Sequence, residues 1–211
     1  MIRKSFLLLS WCLVLSTLFL FAQNDPTAKQ LLDKVSQKYK TYPSMEADFV
    51  LTITGEGINE TQTGKVYIKG DKYKFTSKDL DRICDGKTVW TCLKPQKEVQ
   101  INVVHKNEIT PNQLFTLYTK NYSYVSNTEL KRPANQAIID LMPNDKKNTS
   151  YFRVRLYIDK TTNQIVKAML FEKSGAKYIY ELKNVKTNTL KDATFVFNKA
   201  NYPQAEVVDL R

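Results

Sequence analysis

Few residues in this 211-residue chain have the types and spacing that chemistry requires. His105 is the sole histidine, so every Ser-His-acid or Cys-His arrangement would have to be built on it, and it sits just after an alternating stretch. Cys84, Cys92 and His105 show none of the spacings of a zinc site, and three ligands are one short of a structural one. Asp79, Asp81 and Asp85 form a carboxylate cluster, but lysines and Arg82 surround it, which reads as a solvated loop rather than an acid–base pair. Asp159 to Asn163 bears a passing likeness to a calcium loop but lacks the central glycine and the distal glutamate, and reads as a turn. No catalytic group, metal or cofactor is expected, and the chain does not read as an enzyme.

The N-terminus carries a different signal. Arg3 and Lys4 precede an apolar run from Phe6 to Phe21, and the small residue Ala22 follows. This is the pattern of a secretory signal peptide over residues 1–22, with one domain over 23–211. The alternative is a retained N-terminal anchor. Cys12 follows Trp11 instead of a small residue, so it does not read as a lipidation site. Removing this segment takes two basic residues from a formal charge of +11 and leaves +9. A basic chain can bind nucleic acid, but export argues against that, and the lysines are spread along alternating stretches. They read as a solvated outer sheet face, with attraction to an anionic surface as the sharper reading.

The elements that would position any site are mostly strands. Gly64 to Val104 alternates apolar and polar residues with period two, the mark of strands with one buried face. Asp85-Gly86 between two such runs predicts a tight hairpin. Cys84 would then sit beside the turn and Cys92 several residues up the other strand. That is over about 10 Å apart and beyond disulfide reach, so two free, buried thiols are expected. Asp25-Pro26 opens a helix over about Pro26 to Tyr39, with Leu31, Leu32, Val35 and Tyr39 at helical spacing. Ala47 to Thr54 is a strand, and Gly55 to Gly57 bends into a polar loop. Thr110-Pro111 repeats the cap-and-proline signature before a short apolar helix holding Leu114, Phe115, Leu117 and Tyr118. Tyr122–Val125, Ala137–Met142, a strand facing inward through Phe152, Val154, Leu156 and Ile158, Ile165–Phe171, a strand around Tyr178 to Leu182, and Thr194–Phe197 follow. Tyr202–Val208 is a last extended piece. About ten strands and two helices predict a mainly β, α+β protein: a barrel, sandwich or strongly curved sheet wrapped around its helices.

In order along the chain, Ala47-Asp-Phe49, Gly64-Lys-Val-Tyr-Ile-Lys-Gly70, Tyr73-Lys-Phe75, Asp85-Gly-Lys-Thr-Val-Trp90, Thr110-Pro-Asn-Gln-Leu-Phe115, Phe195-Val-Phe197 and Val207-Val-Asp-Leu-Arg211 resemble the outer-membrane lipoprotein carrier family (LolA-like), in its divergent Bacteroidetes-type form. The resemblance covers nearly the whole chain after residue 22. It implies an incomplete antiparallel β-barrel lidded by about two to three helices, with an apolar cavity that shields lipoprotein acyl chains in the periplasm. It also implies the partners: acylated lipoproteins, an inner-membrane ABC-type lipoprotein-releasing complex, and an outer-membrane acceptor left open. A monomer without nucleic acid is expected. Relatives carry an arginine that ties sheet to lid where this chain has Gly70. Lys69 and Lys72 stand nearby but lack arginine's planar fork.

Under that resemblance the cavity would be lined by Phe49, Leu51, Tyr67, Tyr73, Phe75 and Trp90 from the sheet and by Leu114, Phe115, Leu117 and Tyr118 from the lid. The alternative for each residue is ordinary packed core. For the chain the alternatives are a periplasmic sensor or regulatory module, or a generic lipid-binding module, on the same half-barrel.

Overall fold

Asp25 starts the first element. Its Oδ1 accepts the backbone N–H groups of Thr27 at 2.8 Å and Ala28 at 3.1 Å, satisfying donors that a helix start leaves open, and Pro26 fills the first turn at no cost in hydrogen bonds. Helix α1 (Pro26–Lys40) buries Ala28, Leu32, Val35 and Tyr39 on one stripe. The computed structural model describes residues 24–104 and 109–211. The expected leader and His105 lie outside the described residues.

Twelve strands follow: β1 (Ser44–Gly55), β2 (Ile58–Lys69), β3 (Lys72–Ser77), β4 (Leu80–Cys84), β5 (Thr88–Leu93), β6 (Glu98–Val103), β7 (Tyr122–Ser126), β8 (Gln136–Pro143), β9 (Tyr151–Asp159), β10 (Gln164–Glu172), β11 (Lys177–Asn188) and β12 (Glu206–Asp209). They form one sheet in the order β12-β6-β5-β4-β3-β2-β1-β11-β10-β9-β8-β7. Two antiparallel meanders, β1–β6 and β7–β11, are joined where β1 pairs with β11, and β12 returns parallel to β6. The sheet is curved and open, as an incomplete barrel. The β7 edge is covered: Asn24 Oδ1 accepts the Tyr124 N–H and the second carboxylate oxygen of Asp25 accepts the Ser126 N–H. That removes a free template for strand pairing.

Strand register decides which side chains meet. Period-two alternation carries Met45, Ile68, Tyr73, Cys84 and Val89 in one cross-strand row on the inner face. A second row runs Ile53, Tyr178, Leu170, Val154, Leu141 and Tyr124. Helix α1 packs on this face against β7 and β10. The outer face is covered only in part. The segment after β11 crosses it with Phe195 fully buried, Phe197 stacked between Trp90 (6.1 Å) and Tyr202 (5.6 Å), and Tyr202 donating to Asp81 at 2.6 Å.

Several local expectations differ from the structure. The second helix is two 3₁₀ turns, Gln113–Phe115 and Leu117–Thr119. Thr116 between them leaves helical geometry (φ −128°, ψ 5°), and the Thr119 hydroxyl bonds the Thr116 carbonyl three residues back at 2.7 Å. Such back-bonding favours the tighter i+3 pattern in a segment too short to propagate an α-helix. Thr194–Phe197 is no strand either: a 3₁₀ turn spans Asp192–Phe195. The Gly55–Gly57 loop is a tight hairpin, with Gly55 facing Ile58 and Gly57 at φ 71°, so β2 begins six residues before Gly64. At Asp85–Gly86 the turn is longer than two residues, since Cys84 pairs with Val89. Phe152 does not face inward. A register shift between Phe171 and Glu172 against β9 puts Phe152 beside Arg153 and Phe171 on the outer face, 43% exposed, while Tyr151 joins the inner side. A bulge places an extra residue on one strand and re-aims its neighbours. Asp81 is buried rather than solvated, held by Lys94 at 2.8 Å and the Tyr202 hydroxyl. Cys84 and Cys92 form no disulfide and are buried on opposite faces: Cys84 pairs with Tyr73 and Val89, Cys92 with Asp81 and Val99.

Candidate functional site: an apolar cavity under the lid

Residues 109–119 lie against the inner face, and Ile109, Pro111 and the first 3₁₀ turn roof a cavity of 330 Å³. The floor is built by three groups of side chains. Phe49, Tyr73 and Phe75 come from the first meander, Ile165, Ala168 and Leu170 from β10, and Tyr178, Tyr180 and Leu182 from β11. Ile109, Pro111, Leu114 and Phe115 close the roof.

Local sequence explains the floor. Gly64 faces Phe49 across the β1–β2 pair. A Cβ there would lie 2.0 Å from the Thr76 carbonyl oxygen and 3.0 Å from Phe49 Cε1, so only glycine lets β2, β3 and the Phe49 ring approach this closely. Phe49 meets Phe75 edge-on at 5.4 Å, and Phe75 meets Tyr73 at 5.8 Å. Such aromatic contacts are favourable beyond their burial.

Ring contacts and hydrogen bonds hold the roof to its supports, Tyr118 meeting Tyr124 of β7 edge-on at 6.0 Å among them. Phe115 stacks on Tyr39 of α1 at 3.7 Å with planes 14° apart. Tyr118 donates to Asp33 of α1 at 2.7 Å. Asn112 Nδ2 donates to Asp71, in the β2–β3 turn, at 2.8 Å. Gly70, where the resemblance puts an arginine in relatives, lies in that same turn at φ 56°. The flanking lysines do not reach the lid: Lys69 and Lys72 both pair with Asp192 of the C-terminal arm, at 2.8 and 3.2 Å. In this chain the sheet-to-lid link at the turn is the Asp71–Asn112 hydrogen bond.

The tyrosines in the wall and beside it are uncharged. Burial and the Asp33 hydrogen bond push the Tyr118 phenol up to about 12, and burial raises Tyr178, so both stay neutral at physiological pH. Hydrogen bonds from Lys29 and then Tyr118 hold Asp33 below its ordinary value. Among the described residues, Arg82 is the one charged side chain that lines the cavity.

Of the residues that the sequence nominates, Phe49, Tyr73, Phe75, Leu114 and Phe115 come together around the cavity. Leu51 sits on the inner face opposite Tyr180, packed against the core but off the cavity surface. Leu117 is buried in the core, and Tyr118 packs against it while bonding Asp33. Tyr67 and Trp90 face outward. Tyr67 lies between the inward Val66 and Ile68 and pairs with Glu46 and Lys74. Trp90 follows the inward Val89 and stacks on Phe197. Size nominates both, and strand parity overrules size. Parity could equally have found Tyr178, Tyr180 and Leu182, which share one face of β11, and Arg82, two residues before the inward Cys84.

A family model described as "Outer membrane lipoprotein carrier protein LolA" matches residues 40–198. An uncharacterised protein of Methanocaldococcus jannaschii is 31% identical over 86 residues, which cover 40% of this chain and 26% of that protein, so the match spans about a quarter of the relative's length. The fold is shared with an uncharacterised conserved protein of Thermus thermophilus, at a TM-score of 0.55 and 15% identity over 87% of this chain and 99% of that one. A LolA superfamily protein of Nitrosomonas europaea aligns with a TM-score of 0.46 and 12% identity over 81% of this chain and 97% of its own.

Proposed function

Because this chain belongs to the outer-membrane lipoprotein carrier family, LolA, we propose that it is a periplasmic carrier that shields lipoprotein acyl chains in the cavity under its lid. The supporting observation is the cavity itself: 330 Å³, walled by aliphatic and aromatic side chains, and roofed by a segment held at a few points. Under this reading Phe49, Tyr73, Phe75, Leu114 and Phe115 touch the lipid, together with the β10 and β11 residues that line the same space. Residues 1–22 are the cleaved export signal, and residues 23–211 form the carrier domain. An ABC-type complex at the inner membrane loads it, and an acceptor at the outer membrane unloads it.

The energetics suit a carrier. Burying acyl chain is worth roughly 0.8 kcal/mol per CH₂, so a sixteen-carbon chain contributes on the order of 10 kcal/mol before the costs of binding. The volume stands near the lower end of the roughly 300–1,000 Å³ seen for ligand pockets. A larger lipid therefore requires the roof to lift, which breaks the Tyr39–Phe115 stack and the Asp71–Asn112 and Asp33–Tyr118 hydrogen bonds. Each such bond is worth about 1 kcal/mol net, more to a carboxylate. Loading and release are then matters of a few kcal/mol, not of unfolding.

The test has two parts. Protein exported to the periplasm and purified without detergent is extracted and analysed by lipid mass spectrometry, and a fluorescent fatty acid is titrated into it and displaced by unlabelled lipid. Co-purifying acyl lipid and saturable displacement are the expected results. Disrupting the gene should leave lipoproteins stranded in the inner membrane. Normal lipoprotein sorting would contradict the carrier role and favour a lipid-binding module of another kind.

A further inference from the structure

The inner face is not uniformly apolar. Where β8 to β3 line the cavity, its side chains are aliphatic and aromatic, while Gln62 and Glu60 lie farther along β2 on the same face. One row, followed across the first meander, runs Val66, Phe75, Arg82, Thr91 and Gln100. It changes character at β4, and beyond Arg82 the same face shows hydroxyl and amide groups. Gln100 in turn donates to Glu98 at 2.7 Å. Arg82 stands at the boundary, as the charged member of the cavity wall among the described residues, across from Phe75. An acyl chain lying along Phe75, Leu170 and Tyr180 would thus bring its polar end to a guanidinium.

We propose that the cavity also takes single-chain amphiphiles whose polar end is anionic, a carboxylate or a phosphate, in preference to neutral ones of equal length, and that Arg82 is the residue that holds that end. This rests on the reading of the cavity as an acyl-chain site and adds a second class of occupant beside lipoprotein acyl chains, whose ester and amide links are neutral. Polar groups few in number but placed at one end of an apolar pocket are what fix a ligand's orientation. A guanidinium presents five N–H donors in a planar fork that matches carboxylate and phosphate oxygens. Arg82 already has a partner within the chain. Its donor count lets it keep that partner and take a ligand oxygen, or exchange one for the other. Charge-assisted hydrogen bonds are about twice as strong as neutral ones, so a neutral ester of equal chain length should bind less tightly by about tenfold.

The experiment compares chains of one length with three head groups: palmitate, a monopalmitoyl lysophosphatidylglycerol and neutral monopalmitoylglycerol. Each displaces the uncharged fluorophore N-phenylnaphthylamine from the full protein at pH 8. Palmitate, the lysophospholipid or both should displace at about tenfold lower concentration than the neutral lipid. The arm that shows the preference says whether carboxylate or phosphate is the source. Arg82→Gln should remove the preference, read as the ratio of anionic to neutral displacement within that variant, and Arg82→Lys should retain part of it. Equal displacement by all three lipids would overturn the assignment, as would a preference that survives Arg82→Gln. If that variant fails to fold, the wild-type lipid series alone decides. Failure of every lipid to displace the probe would instead defeat the carrier reading, and this inference with it.

Discussion

Replacing Gly64 by alanine should cost more stability than any other single methyl addition at a glycine of this protein. The added Cβ would lie 2.0 Å from the Thr76 carbonyl oxygen, 2.9 Å from its carbon and 3.0 Å from Phe49 Cε1. Carbon–oxygen contacts ordinarily begin at about 3.3 Å, so backbone must move by roughly 1 Å. The obstructing atom is not the tip of a flexible side chain. It belongs to β3, which is hydrogen-bonded to β2 on one side and β4 on the other. Overpacking typically costs about 1–3 kcal/mol, occasionally more, and a backbone clash belongs at the upper end. At about 2–4 °C per kcal/mol for a chain of this size, a cost near 3 kcal/mol lowers Tm by about 6–12 °C. Gly70→Ala is the control. It meets nothing within 4 Å but sits at φ 56°, which costs an alanine roughly 1–2 kcal/mol and so lowers Tm by less. Thermal melts followed by far-UV circular dichroism measure both. If Gly64→Ala melts within about 2 °C of wild type, or above Gly70→Ala, the account of how the cavity floor is shaped is wrong.

Other expectations follow from the buried polar groups and the outer face. Burial alone would raise the Asp140 carboxyl, but hydrogen bonds from Arg155, at 2.6 and 2.8 Å, and from Asn127 outweigh it and hold the group below its ordinary value. Asp81 follows the same pattern: burial raises it, and Lys94, Thr76 and Tyr202 more than offset that. A depressed carboxyl adds stability that is present above the unfolded value near 3.8 and is lost as pH falls through the folded value. Urea midpoints should therefore drop below about pH 4, and the deficit of Asp140→Asn at pH 6 should narrow by pH 3. Parallel pH profiles for the two proteins would contradict this. Burial pushes the Cys92 thiol up to about 11, and Cys84 is fully buried. Native protein should resist alkylation at pH 8 and take up two labels at these cysteines when unfolded, as read by mass spectrometry. Rapid native labelling would contradict the packing. Trp90→Ala should lower Tm by removing the Phe197 stack while lipid displacement stays within about twofold, because its ring lies on the far side of the sheet. A large loss of displacement would return Trp90 to the cavity.

The layout of this fold was largely readable because period-two alternation is a strong signal in β1, β9 and β11, and Asp25-Pro26 marks a helix start without ambiguity. What escaped the sequence was set by tertiary context. Nothing local in Tyr151-Phe152 announces the register shift that exchanges their faces. Ile58 to Thr63 reads as polar loop because neither face is deeply buried, yet it pairs with β1 along its whole length. The lid segment has the apolar content of a helix, but its threonines and short length settle it into 3₁₀ turns. Asp81 looks solvated in the linear sequence, since its burial depends on Tyr202, 121 residues away. For the site, the aromatic count was a poor guide and strand parity a good one. Phe49, Tyr73 and Phe75 satisfy both, Tyr67 and Trp90 only the first, and Arg82 only the second.

The central claim is that the space beneath the lid holds acyl chain. Ala168 lines that space from β10 with the smallest side chain on its floor, so Ala168→Trp fills it without touching the outer face. Titration of a fluorescent fatty acid into wild type and this variant, with circular dichroism to establish that both are folded, tests the claim most directly. Saturable binding by wild type and its loss in the folded variant is the result the account predicts. Equal binding by the two proteins, or none by wild type, would contradict it.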